Sequence, residues 1–160
     1  GPYPLSYNGW GDVLVIVFFG FVPVGGTYYV QALTWTPDVT IASLICGLLI
    51  DTLLVVNNYR DREADARSGK RTVIVRFGEK FGRYFYLMLG VTASLLCLCF
   101  LREGHFLAAL LPQLYLIPHF LTWKRMVKIY SGKKLNSILG ETSRNMLFMG
   151  VLIAIGMLVS

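Results

Sequence analysis

The stretch NNYRDREADARSGKRT, residues 57–72, gathers amides, carboxylates and basic side chains at the end of an apolar run. On a helix, at about 100° per residue, Asn57, Asp61 and Asp65 are successive i, i+4 positions and share one stripe. Two carboxylates one turn apart repel each other by roughly 0.2–0.5 kcal/mol unless a cation lies beside them. Hard oxygen ligands in this arrangement suit Mg2+, which keeps several waters, takes one or two carboxylates and shares phosphate oxygens with a substrate. Arg60 stands beside Asp61, and Lys70 and Arg71 follow directly. They are counter-charges for a phosphate, Arg as a bidentate fork and Lys as a mobile point charge. The same residues equally describe a solvated helix end, in which Arg60, Arg62 and Arg67 neutralise Asp61, Glu63 and Asp65 in surface pairs that contribute little.

Asp51 lies within the apolar run itself, where an ionisable group costs at least ~2.5 kcal/mol and therefore usually lines a polar cavity. Asn58 is seven residues on, at nearly the same helical angle. The stripe Asp51, Asn58, Asp61, Asp65 predicts a cavity opening at the charged end. A neutral Asp51 bonded to a Thr or Ser of a neighbouring helix is the alternative.

The elements that must position these residues are membrane helices. The chain has 160 residues, 55% of them hydrophobic, and a mean hydropathy of +0.58, too apolar for an ordinary water-soluble domain. Five apolar stretches, about 13–33, 39–58, 84–101, 106–123 and 145–159, approach the ~20 residues a helix needs to cross the hydrocarbon. Pro23, Gly25 and Gly26 interrupt the first and Pro112 and Pro118 the fourth, breaks that membrane helices tolerate where neighbours re-satisfy the freed carbonyls. The second stretch runs on without a breaker to Ser68-Gly69, a helix stop, so this helix projects beyond the bilayer.

Eight Lys and Arg residues lie in 60–83, six in 124–144, and Arg102 is the fifteenth. Five alternating spans put both basic segments on one face, the cytoplasmic face of the cell's inner (plasma) membrane by the positive-inside rule. Topology thus accounts for the net charge of +6, and a nucleic-acid partner is not expected. The lipid bilayer is. Cys46, Cys97 and Cys99 read as packing residues, and His105 and His119 as hydrogen-bonded structural residues rather than metal ligands. Repeats, heptads and low-complexity segments are lacking, so residues 1–160 read as a single transmembrane domain. The opening GPYPLS has no Met and no signal-peptide pattern, and reads as an internal start.

These segments resemble a known family. NNYRDREADARSGKRT is similar to the second aspartate-rich motif of the UbiA superfamily of intramembrane aromatic prenyltransferases, with D-x-x-x-D at Asp61 and Asp65. GPYPLS, GTYYVQ at 26–31 and LNSILGETSRNMLF at 135–148 resemble its menaquinone branch, the 1,4-dihydroxy-2-naphthoate polyprenyltransferases. The resemblance implies an all-α polytopic transmembrane bundle of nine helices, of which about five are present here. The other aspartate-rich motif has no counterpart in residues 1–160, so the chain resembles the C-terminal half of a longer protein, with the N-terminal half a missing partner.

The resemblance further implies Mg2+-dependent transfer of a polyprenyl group from a polyprenyl diphosphate to 1,4-dihydroxy-2-naphthoate, with loss of the ring carboxylate, giving demethylmenaquinone. In that reading Asp61, Asp65 and Lys70 are catalytic, Asp61, Asp65 and Asn57 face the metal, and Lys70, Arg71 and Arg60 hold the diphosphate. Asp51, Asn58, Tyr28 and Tyr29 would line the substrate cavity, the tyrosines offering ring faces to an allylic cation. A Tyr pair near a span end is at least as readily an interfacial belt. Transfer to 4-hydroxybenzoate or homogentisate, or a non-catalytic membrane module with an ion path, remain alternatives.

Overall fold

The computed structural model describes residues 4–159; Gly1, Pro2 and Tyr3 of GPYPLS, and Ser160, lie outside the described residues. Five helices are long and apolar enough to cross a membrane: α1 (Gly11–Ala32), α2 (Pro37–Arg67), α3 (Val73–Glu103), α4 (Phe106–Ile129) and α5 (Lys133–Val159). No strand occurs among the described residues. The chain is an all-α, multi-pass membrane bundle.

The boundaries follow from capping chemistry. Thr36 opens α2, its hydroxyl accepting from the Val39 N–H at 3.3 Å with Pro37 at the first helical position. The helix then runs to Arg67, where Gly69 takes φ +76° and the Lys70 N–H closes back on the Asp65 carbonyl at 2.9 Å. Thr72 caps α3 through the Val75 N–H at 3.2 Å. Helices α3 and α5 start about ten residues before their apolar stretches, because charged residues such as Arg76 and Lys134 continue the helix where hydropathy gives no signal.

The interruptions have identifiable geometry. Ile16–Gly25 of α1 is a π-helix with Pro23 inside it, the wider turn accommodating a residue that has no N–H to give. In α4 the tightened turn Leu111–Tyr115 carries Pro112 at its second position, and Pro118 falls in the first turn of the next α-helical stretch, Leu116–Ile129. Gly78, at φ +85°, kinks α3 near its start, and the Arg76 guanidinium donates to the Asn8 carbonyl at 2.7 Å.

Helix α2 is central, packing on α1, α3 and α5. Two apolar clusters fill the bundle: Ile45, Leu49, Ala93, Phe100, Tyr115 and Met149 toward one end, and Val55, Tyr59, Ile74, Tyr86, Met126 and Ile138 toward the other. The second end is the charged one. There the Arg71 N–H donates to the Tyr7 carbonyl at 2.8 Å, Arg60 reaches Asn136, and Trp123 donates to the Arg83 carbonyl. The start of α1, the α2–α3 connection and the α4–α5 connection thus share one end, while Arg102 lies at the other, where α3 meets α4. Both basic segments emerge together.

His119 and the cysteines behave as packing residues. His119 is buried between the rings of Tyr86 and Tyr115, with Nδ1 on the Tyr115 hydroxyl at 2.9 Å and Nε2 on the Leu87 carbonyl at 3.2 Å. The three cysteines are free, and the Cys46 thiol donates to the Phe19 carbonyl.

Candidate functional site

At the charged end, α2 carries Asn57, Asp61 and Asp65 down one side, and each carboxylate already has a cation. Arg60 folds over Asp61 as a bidentate fork, Nε to Oδ1 at 2.7 Å and one terminal nitrogen to Oδ2 at 2.6 Å. The same nitrogen donates to the Asn57 carbonyl oxygen at 2.6 Å and the other to that of Asn136, at the start of the α-helical part of α5, at 2.8 Å. Lys70 lies 3.2 Å from Asp65, with side-chain exposures of 25% and 14%. One arginine therefore gathers three acceptor side chains from α2 and α5, and the lysine closes on the fourth. Asp61 remains 39% exposed, so the first pair is open to solvent.

Arg62 and Arg83 belong to a separate arrangement. Arg62 lies 3.6 Å and Arg83 3.3 Å from Glu79; the Arg83 Nε–H donates to the Tyr59 hydroxyl at 2.9 Å, and Arg62 lies over the Tyr59 ring at 4.6 Å. The Glu79 carboxylate near the Tyr130 phenol holds it above its ordinary pKa. Of the surface pairing expected from sequence, Arg60 with Asp61 is present, but Asp65 takes Lys70 and Arg62 crosses to α3. Arg71 is exposed.

The other expected residues divide by position. Asn58 is 5% exposed and lines a pocket of about 50 Å3 with Lys70 and Thr72. Asp51, about two turns below, is fully buried; no described N–H or hydroxyl donates to its oxygens, and the polar group facing it is Asp12 of α1. Tyr28 and Tyr29 are exposed near the other end of α1, alongside Trp35, whose indole N–H donates to Thr40. They are not brought together with the mouth.

Three features escaped sequence reasoning. Asn136 completes the Arg60 cradle from α5. Glu141, also of α5, is ion-paired to Arg125 at 2.8 Å and accepts from Thr122, to which Asn145 donates at 2.9 Å. An apolar groove of about 570 Å3 runs between α1, α2 and α5, lined by Cys46, Leu49, Ile50, Ser143, Met146 and Gly150 among others. Asn136, Glu141 and Asn145 all fall in LNSILGETSRNMLF, where clustered polar residues entering an apolar span were the available signal. The groove had none, because lipid-facing and groove-facing residues are equally apolar.

The oxygens fit a divalent ion of the hard class: two carboxylates one turn apart and an amide carbonyl, held at present by two nitrogen cations of equivalent charge. No cluster of three or more His, Cys, Asp or Glu occurs among the described residues. The remaining ligands of such an ion would be water and phosphate oxygens, or groups beyond this chain.

The UbiA prenyltransferase family matches residues 2–148. The chain is 34% identical over 163 residues to the 1,4-dihydroxy-2-naphthoate octaprenyltransferase of Haemophilus influenzae, covering 99% of this chain and 52% of that protein. It is 42% identical over 98 residues to the enzyme of the same name from Escherichia coli, covering 61% and 32%. Against the UbiA prenyltransferase domain-containing protein 1 of Dictyostelium discoideum it is 30% identical over 159 residues, covering 99% and 47%. The chain spans about half the length of the curated relatives it matches. No solved structure matches it significantly. With the family matched across both the Asp61–Asp65 mouth and the helices that build it, this chain belongs to the UbiA prenyltransferase family.

Proposed function

We propose that this chain forms the C-terminal half of a membrane enzyme that transfers a polyprenyl group from its diphosphate to 1,4-dihydroxy-2-naphthoate, in menaquinone synthesis. The observation that carries the reading is that a charged cradle and an apolar groove are both built by α2 and α5, one farther along the helices than the other. Ile50 and Ser143 in the groove lie seven residues from Asn57 and Asn136 in the cradle, a rise of about 10 Å. A substrate with an anionic head and an isoprenoid tail fits that polarity. The relatives' names give the ring acceptor.

In this reading Asp61 and Asp65, with Asn57 nearby, would hold Mg2+, which would supply charge neutralisation to the diphosphate. Arg60 and Lys70 are the residues that change partner. With the carboxylates engaged by the ion, the guanidinium fork of Arg60 and the ammonium of Lys70 would be available to hold the diphosphate oxygens, with Arg71 at the rim. There they stabilise the negative charge that develops on the leaving oxygen as the carbon–oxygen bond to the allylic group breaks. The electron-rich ring then forms the new carbon–carbon bond, and the ring carboxylate departs as carbon dioxide. Tyr28 and Tyr29 serve the interfacial belt. The mouth faces the cytoplasm from the inner membrane, following the clustered basic residues.

The test is a transfer assay with the full-length enzyme in lipid vesicles, a polyprenyl diphosphate, and dihydroxynaphthoate, 4-hydroxybenzoate or homogentisate, with Mg2+ or with a chelator. Metal-dependent prenylation of dihydroxynaphthoate is expected. Preference for either other ring would move the acceptor assignment, and no product from any ring would return the chain to the non-catalytic class.

A further inference from the structure

Inside the bundle, Asp12 and Asp51 face each other across α1 and α2 with exposures of 8% and 0%. Neither oxygen of Asp51 has a donor among the described N–H and hydroxyl groups. No described charged group other than Asp12 acts on Asp51: α3 and α5 bring none to it, and Lys70, on the α2–α3 connection, reaches only the far side of the pocket that Asp12 lines. Two ionised carboxylates in contact in so poor a dielectric cannot persist without a bound cation of some kind.

The surroundings decide which cation. Four residues farther from the mouth on each helix stand Ile16 and Gly47, in such close contact that a Cβ added to Gly47 would lie 2.8 Å from the Ile16 Cα. That contact closes the α1–α2 seam on the side away from the mouth. On the mouth side lies the pocket of about 50 Å3 lined by Ser6, Asp12, Asn58, Lys70 and Thr72, room for one or two waters at about 30 Å3 each. A metal ion would need about six oxygens, which Asp51 cannot share through that contact, and would meet the Lys70 ammonium. A proton needs only the two carboxyls.

We propose that Asp12 and Asp51 form a binding site for one proton, held between them as an O–H donating to a carboxylate, and exchanged with the mouth through the pocket beneath Lys70. Loading moves one proton from a hydronium in the pocket to the Asp12 carboxylate, leaving neutral water, and the hydrogen bond then passes it toward Asp51. The pair carries a single negative charge in the middle of the α1–α2 contact. The site does not depend on the prenyl-transfer reading.

Infrared difference spectroscopy of the purified protein in lipid nanodiscs at neutral pH, in H2O and in D2O, tests this. A protonated-carboxyl C=O band that shifts in D2O is expected, lost in both Asp51→Asn and Asp12→Asn and retained in Asp38→Asn. Asn58→Leu, which fills the pocket, should slow the deuterium shift at least several-fold. Asn keeps the size of Asp; if Asp51→Asn does not fold, Asp12→Asn gives the same reading. A wild-type spectrum without the band, or a band that survives both substitutions, would overturn the site, and an unchanged shift rate in Asn58→Leu would overturn the route.

Discussion

Two arginine–carboxylate pairs stand at the same end of the bundle and are built in opposite ways. In Arg60–Asp61 the carboxylate is 39% exposed and the arginine 24%, and the guanidinium is spread over Asn57 and Asn136 as well. In Arg125–Glu141 the carboxylate is 10% exposed and the arginine 65%, while Thr122 and Asn145 complete a chain of hydrogen bonds behind it. The first presents oxygens to solvent and shares its cation among several acceptors, so a ligand can replace the cation without leaving a buried charge. The second fixes its carboxylate in the α4–α5 contact, where loss of the partner leaves buried polar atoms unmet. In the proposed reading, exchange and anchoring are thus separated onto different residues.

The largest effect expected from this contrast is on turnover. In the proposed reading Asp61→Asn removes a metal-facing charge at constant size, and it should lower prenyl transfer by on the order of 100-fold or more, with the protein still extracted folded from the membrane. A rate within a few-fold of wild type would remove Asp61 from the site. Lys70→Ala should follow: loss of a charged hydrogen-bonding group of about 1.5–3 kcal/mol should raise KM for the diphosphate substrate, or lower kcat/KM, by roughly ten-fold or more. Unchanged steady-state kinetics would leave Lys70 as Asp65's counter-ion alone.

Glu141→Ala should act on the other side of the comparison. It removes the acceptor of Thr122 and Arg125 and should destabilise the bundle by about 1–3 kcal/mol, read as a lower thermal midpoint in detergent, with turnover near normal below that midpoint. A turnover loss without a stability loss would place Glu141 with Arg60 and Asp61. The smallest effect belongs to Arg67→Ala, an exposed residue at the end of α2, expected within about 0.5 kcal/mol of wild type in stability and unchanged in kinetics.

Sequence exposed the mouth and concealed much of what supports it. The five spans, the continuation of α2 past its apolar stretch, its stop at Ser68-Gly69 and the shared end of both basic segments were legible, because hydropathy, capping residues and charge asymmetry are local signals. That Asp61 and Asp65 share one side of α2 was legible through helical spacing. The switch of Asp65 from Arg67 to Lys70 was not, since it depends on the chain reversing at Gly69 and bringing Lys70 back over the helix end. Asn136 was hidden for a similar reason: it meets Arg60 across 76 positions of sequence. Asp51 stood out as a charge in an apolar run, but its companion Asp12 lies near the start of the first apolar stretch, where an acidic residue passes for an interfacial one.

The most direct test of exchange at the mouth is Mn2+ binding to the full-length protein in nanodiscs, followed by electron paramagnetic resonance with and without inorganic diphosphate. The account predicts bound Mn2+ that tightens with diphosphate in the wild type. Asp61→Asn/Asp65→Asn should lose it, and Glu141→Ala should keep it. Equal Mn2+ binding by the wild type and the Asp61→Asn/Asp65→Asn variant would contradict the assignment of these carboxylates to a metal-bound diphosphate.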